Sequence, residues 1–455
     1  MNKKGFTITI AMLLIASFVL TGCAPAATPV ATQAPATQPP APTATQPPAP
    51  TATQPPAPTA TNEPVTLNIW HNWGPDDAKG PAMKSILADF MTANPDITIK
   101  DSVYVDADIP LKVETATTAN QEPDLVFVQR VGDPLTWTDS GVTVSVNDYI
   151  KQWGLDGQFK DVALSNYTLA DGKIQAFPVE GYVWPVWYNT KVFAAAGVPI
   201  PTTTDDLIAD IKKIRAAGDQ PAILSADGMG QYLFTLILQT ETTDQEAEQC
   251  MGKGDWTVPD CIKGVKLFTQ LRDAGLFVNG VQGIDYPTAN TQFGLGKIAM
   301  SHFGAWEFGA PEIAKVVPDV QLGGFPLPAD SPHKLPIYYS AFSAKGIWIT
   351  PNGVKKIDAV KRFVQYFFQP AIIARFEEQA GMTSPLKVDA IDPSKVTPLF
   401  TQDLSKIAEV AETPDFYLPP TVGTDFGRVF TEALAPGTTA EKILADLTAA
   451  YAAAK

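Results

Sequence analysis

Flat aromatic side chains stand beside acids or amides at several points of this sequence. The groupings are Asn72-Trp73, Glu180 with Tyr182 and Trp184, and Trp306-Glu307, and Gln129-Arg130 adds an amide and an arginine. Tyr338-Tyr339 adds an aromatic pair and Asp227 a further acid. A ring can cover the weakly apolar face of a small polar molecule, while acids, amides and arginine make paired hydrogen bonds to its edges. The chemistry these residue types suit is recognition. Catalysis has no comparable signature, since the sequence contains no GxSxG, HExxH or GxxxxGK[ST] motif. Two carboxylates flanking a glycosidic bond could still be drawn from 48 acidic residues, so a glycan-active enzyme stays open on composition alone. The three histidines, His71, His302 and His333, are scattered, and neither a metal site nor a cofactor is expected.

Each candidate has a plainer reading. Arg130 can pair with Asp133 on a loop. Asp227 lies in Ser225-Ala226-Asp227-Gly228, which reads equally as a turn. Tyr338 and Tyr339 alternate along a strand, so only one of them should face a site. Glu180 either contacts a ligand or orders its own segment. Trp137, Trp153, Trp187, Trp256 and Trp348 are read as packing residues, and His71 as a hydrogen-bonded structural residue.

These side chains need a scaffold, and hydrophobic periodicity supplies one. Val65, Leu67 and Ile69 alternate as a strand ending at Trp70, and Ala82, Met83, Ile86, Leu87, Phe90 and Met91 recur at helical spacing until Asn94-Pro95. Ile97 and Ile99 open a second strand, a polar helix covers 110–120, and 124–128 is a short apolar run suited to a buried strand. This strand-helix alternation predicts a parallel sheet wrapped by helices. Ligands of open α/β sheets sit beyond the carboxyl ends of the strands, here His71-Asn72-Trp73 and Gln129-Arg130. Further on, Thr203 with Asp206 predicts a capped helix with Leu207, Ile208, Ile211 and Ile214 on its buried stripe and Gly218 at its end. Helices are also expected at 231–240, 259–274, 359–368, 371–380 and 439–454, and a short strand at 298–300.

The N-terminal region is of a different kind. Lys3 and Lys4 precede an apolar run from Ile8 to Leu20, too short to span a bilayer core comfortably. Leu20-Thr21-Gly22-Cys23 follows and resembles the bacterial lipoprotein box. The resemblance implies a signal peptide over 1–22 and a lipid on Cys23 that anchors the chain to a membrane. Residues 23–64 then form a Pro/Thr-rich tether, in which TQPPAPTA occurs three times from Thr37 to Ala60. At about 3.1 Å per residue in polyproline II, such a tether reaches on the order of 100 Å. Formal net charge is −15, and becomes −17 once Lys3 and Lys4 leave with the signal peptide. That surface repels phosphate backbones, so nucleic acid is not an expected partner. Outside the cytoplasm Cys250 and Cys261 read as a disulfide, the alternative being two separate buried thiols.

One long pattern resembles a known family. Gly172-Lys173-Ile174-Gln175-Ala176-Phe177-Pro178, Tyr188-Asn189-Thr190-Lys191-Val192-Phe193 and Ala196-Gly197-Val198-Pro199 with Pro201-Thr202 stand in order. Asn68-Ile69-Trp70, Pro123-Asp124-Leu125-Val126 and Gly296-Lys297-Ile298-Ala299-Met300 with Gly304-Ala305-Trp306 extend the pattern. Together they resemble family 1 extracellular solute-binding proteins, the maltose-binding-protein-like group, from Val65 to Tyr451. The resemblance implies an α/β periplasmic-binding-protein fold of two lobes, with residues 65–178 and 342–382 in the N-terminal lobe and 179–341 and 383–455 in the C-terminal lobe. Chain crossings would fall near 178–182, 338–346 and 383–387. It further implies a monomeric, non-enzymatic receptor that closes on a sugar and passes it to the transmembrane permease subunits of an ABC importer. An anion, a polyamine, a phosphorylated polyol or iron remain alternative solutes, although an anion would want several cleft arginines and Arg130 is the only obvious one.

Overall fold

The computed structural model describes residues 63–454 other than Asp76, Ala78 and Ala380. The expected signal peptide, Cys23 and the repeats of the tether lie outside the described residues.

Alternation in Val65-Thr66-Leu67-Asn68-Ile69 produces strand β1 (Val65–His71), with Leu67 and Ile69 fully buried. The helix Gly80–Ala93 buries Ala82, Met83, Ile86, Leu87 and Phe90, and the Asn94 side chain closes it by donating to the Phe90 carbonyl at 2.8 Å. β2 (Ile97–Val103) and β3 (Leu125–Val128) flank β1, both parallel to it. The sheet does not stay parallel as the sequence suggested. Its next member, β9 (Ile337–Ile349), runs antiparallel to β3, and β4 (Phe177–Trp184) pairs antiparallel with β9. β9 enters this sheet from the other end of the molecule, so its direction is set by that route and not by a helical crossover. A short edge strand, β10 (Glu409–Ala411), pairs with the far end of β9.

A second sheet holds four strands in the order β6-β7-β5-β8, namely Gln220–Ile223, Ile298–His302, Val186–Asn189 and Val320–Gly323. The helix Thr204–Ala216 packs beside it. Thr203 Oγ1 accepts from the Asp206 amide at 3.1 Å, and Gly218 follows the helix at φ 90°. The predicted helices at 231–240, 259–274 and 439–454 appear as Gln231–Gln239, Pro259–Asp273 and Ala440–Ala453. Cys250 and Cys261 are joined in a disulfide with Cα atoms 6.5 Å apart.

The apolar side chains form two large cores. One gathers Leu67, Phe90, Phe127, Phe177, Ile347, Phe363 and Leu386, and the other Trp184, Trp187, Phe234, Met300, Tyr339, Met382 and Phe430. Three segments therefore change core: β4 between Val179 and Tyr182, β9 between Ala341 and Ile347, and the chain between Met382 and Leu386. They meet at Gly181. Its backbone exchanges two 2.9 Å hydrogen bonds with Thr383, and a Cβ there would sit 2.6 Å from the Phe342 ring of β9. Only glycine fits where three crossings touch.

Candidate functional site

Beside these crossings lies a cavity of about 620 Å³. The pleat of β4 aims Glu180, Tyr182 and Trp184 at it, while Val183 faces the opposite side.

The wall belonging to the first core is polar. Lys79 donates to both oxygens of Glu180 at 2.9 Å. Next to this pair, Asp106 accepts from Lys345 with one oxygen and from Gln129 with the other. Burial lowers the Lys345 amine from its ordinary value, and Asp106 opposes the shift. Asn72, at the end of β1, completes this side.

The opposite wall is built from rings. Trp184 is sandwiched between Tyr232, at 4.2 Å between centroids, and His302, at 5.3 Å. Its indole also donates to the His302 carbonyl. Burial pushes His302 down to about 3, so the ring behind Trp184 is neutral. Trp306 stands edge to face against Trp184 at 4.9 Å and Tyr182 at 6.0 Å. Its indole folds back over Gly304, where a Cβ would lie 2.2 Å from the ring, and its Nε1 donates to the Tyr286 hydroxyl. Glycine at 304 is therefore what lets Trp306 occupy the wall. Asp415 joins the rings, accepting from the Tyr182 hydroxyl at 2.8 Å and from the Tyr232 hydroxyl. Burial raises the Asp415 carboxyl, opposed by these two donors. Glu307 is pushed up to about 6 by burial, against donors on Asn290, Tyr286 and Trp306.

Seven of the sequence-derived candidates meet in this cavity: Asn72, Gln129, Glu180, Tyr182, Trp184, Trp306 and Glu307. The other five do not line it. Trp73 is 2% exposed and packs edge-on against Phe127 and Phe376, with Lys79 Nζ 5.3 Å from its ring. It is core, one layer behind the cavity. Arg130 is buried, donates to Gln175 at 2.8 Å and places its guanidinium 5.9 Å from the Phe416 ring. Asp227 is exposed and organises its turn, accepting from Ser225, from the Met229 amide and from the Tyr286 amide. Tyr339 is fully buried and bonds to Gln239 and Thr235 behind Tyr232. Tyr338 lines a separate cavity of about 330 Å³ on the other face of β4 and β9. Tyr232, Asp415, Lys79, Lys345 and Asp106 are cleft residues the sequence reading missed. Only Tyr232 carried a usable signal, an aromatic at the first turn of a predicted helix.

Two cores, three connecting segments and a ring-lined polar cavity against those segments define a two-lobed solute-binding fold. The chain belongs to the family of bacterial extracellular solute-binding proteins, which it matches over residues 74–373. The multiple sugar-binding protein of Streptococcus mutans is 22% identical over 347 residues, which is 72% of this chain and 76% of that protein. The crystal structure of a probable secreted solute-binding lipoprotein from Streptomyces coelicolor shares 33% identity and superposes with a TM-score of 0.77, covering 85% of this chain and 98% of the other. A chitin oligosaccharide binding protein has the same fold at 23% identity and TM-score 0.73, over 86% of this chain and 98% of its own.

Proposed function

We propose that the protein is the extracytoplasmic receptor of an ABC importer and binds a mono- or oligosaccharide in the cavity between its two cores. The observation that carries the reading is the pairing of Trp306 and Tyr232 on one wall with Gln129, Asp106 and Asn72 on the other. Rings suit the CH faces of a sugar and the polar wall suits its hydroxyl edges. A cavity of about 620 Å³ falls within the usual range for small-molecule sites. The sugars named for several relatives point the same way.

In this reading the two lobes are rigid halves that close about β4, β9 and the 383–387 segment, and ligand favours the closed form. Cys23 carries the lipid, the tether holds the lobes off the membrane, and the closed receptor docks on the permease subunits. Resemblance to a secreted solute-binding lipoprotein supports the anchor.

Tryptophan fluorescence titrated with a panel of neutral sugars tests the reading, because Trp184 and Trp306 lie in the cavity wall. Saturable change with at least one sugar is expected. No response to any sugar, with a response to a polyamine or an anion, would overturn it. Turnover of an oligosaccharide would favour an enzyme instead.

A further inference from the structure

The lysine, tyrosine and tryptophan donors of the cleft each already have a partner, which leaves the uncharged side-chain amides of Asn72 and Gln379 without one among the described residues. Lys79 is held by Glu180, while Lys345 and Gln129 are both held by Asp106. The Tyr182 and Tyr232 hydroxyls donate to Asp415, the Trp306 indole to Tyr286, and the Trp184 indole to the His302 carbonyl. Among the described residues the lining has no unpaired lysine, whereas its carboxylates are in excess. Glu307, Glu312 and Asp415 all lie on the ring-bearing side, and among the described residues no lysine, arginine or histidine pairs with any of them, while the two cationic residues of the lining each have a carboxylate partner. Six acids line the cavity against those two lysines. Burial raises the Glu307 carboxyl to about 6, and the like charge of Glu312 adds to the shift.

The excess of carboxylates therefore favours a ligand that donates hydrogen bonds. Hydroxyl and ammonium groups do so; carboxylate and phosphate groups cannot, and they would meet uncompensated like charge in a cavity that becomes drier as the lobes close. We propose that the cleft sorts saccharides by charge, admitting neutral and ammonium-bearing sugars and rejecting uronates, sialylated sugars and sugar phosphates. This inference rests on the saccharide reading above and narrows it. It also removes the phosphorylated-polyol and anion alternatives for this cavity. Arg130, the arginine an anion would need, is turned away into Gln175.

Calorimetry on the folded protein tests this with a fixed set of probes. The neutral members are maltotriose, raffinose, xylotriose and triacetylchitotriose; the cationic member is the glucosamine trimer; the anionic members are trigalacturonate, sialyllactose and maltose 1-phosphate. At least one neutral or cationic member should bind, with every anionic member at least 100-fold weaker than the best of them. The Glu307→Gln/Glu312→Gln double variant should narrow that gap by 10-fold or more, with its fold checked by circular dichroism. An anionic member binding within 10-fold of the best neutral or cationic one, or as the sole binder, overturns the charge rule and leaves the saccharide reading standing. Binding to no member overturns both.

Discussion

Lys79 and Glu180, 101 positions apart, form a two-pronged ion pair with both N–O distances at 2.9 Å. It ties the residue before the first helix to the first crossing strand, at the mouth of the hinge. Both side chains are almost fully buried, at 10% and 1% exposure. Breaking such a pair leaves a bare charge out of water, which costs more than the intact pair contributes. Lys79→Met should lower unfolding free energy by about 3 kcal/mol, the low end for a broken buried pair because Lys345 remains near Glu180. The double variant Lys79→Met/Glu180→Leu should recover part of the loss. Urea unfolding of the three proteins measures both effects.

Trp306 and Trp184 belong to the same ring cluster but should respond differently to truncation. Trp306 is partly exposed to the cavity, so Trp306→Ala should weaken sugar binding by about 1–3 kcal/mol, by analogy with stacking on flat ligands, with stability little changed. Trp184 is 3% exposed and covered on both faces. Trp184→Ala should also cost about 3–5 kcal/mol of stability, as other large buried truncations do. Calorimetry beside thermal melts separates the two.

Glu307 gives a pH signature. Burial raises its carboxyl to about 6 from an ordinary 4.5. The folded state then holds the proton to higher pH than the unfolded chain, so the contribution of Glu307 to stability is greatest below about pH 4.5 and is lost as pH rises through 6. Glu307→Gln removes this cost. It should be more stable than the parent by about 1–2 kcal/mol at pH 7, with the advantage vanishing by pH 4.5. A constant difference across that range would show that Glu307 titrates normally.

The Cys250–Cys261 bond closes a short loop, with a sequence separation of 11. Neither cysteine lines the cleft. Replacing both with serine should lower stability by about 2–3 kcal/mol and leave sugar affinity unchanged. Reductant should lower the melting temperature of the parent and not of the variant.

The sequence disclosed what is local. Alternation in Val65–Ile69 and the helical stripe from Ala82 to Phe90 became the elements they predicted, because each pattern is satisfied by its own neighbours. The direction of β9 was not legible, since nothing within 337–349 says from which end the strand enters the sheet. The cleft divides the same way. Tyr182 and Trp184 could be found because they alternate on one strand with Glu180. Asp415 and Lys345 could not, because they matter through partners 233 and 239 positions away. Trp73 shows the reverse error: it sits at the right strand end, but the chain turns its ring inward against Phe376.

The account rests on a sugar held between the two cores, and a crystal structure grown with a saccharide that titrates in solution tests this most directly. The account predicts a sugar ring against Trp306 or Tyr232, hydroxyls within hydrogen-bond distance of Gln129, Asp106 or Glu307, and the walls drawn together about Gly181. Saccharide bound elsewhere, with this cavity holding only water, would contradict it.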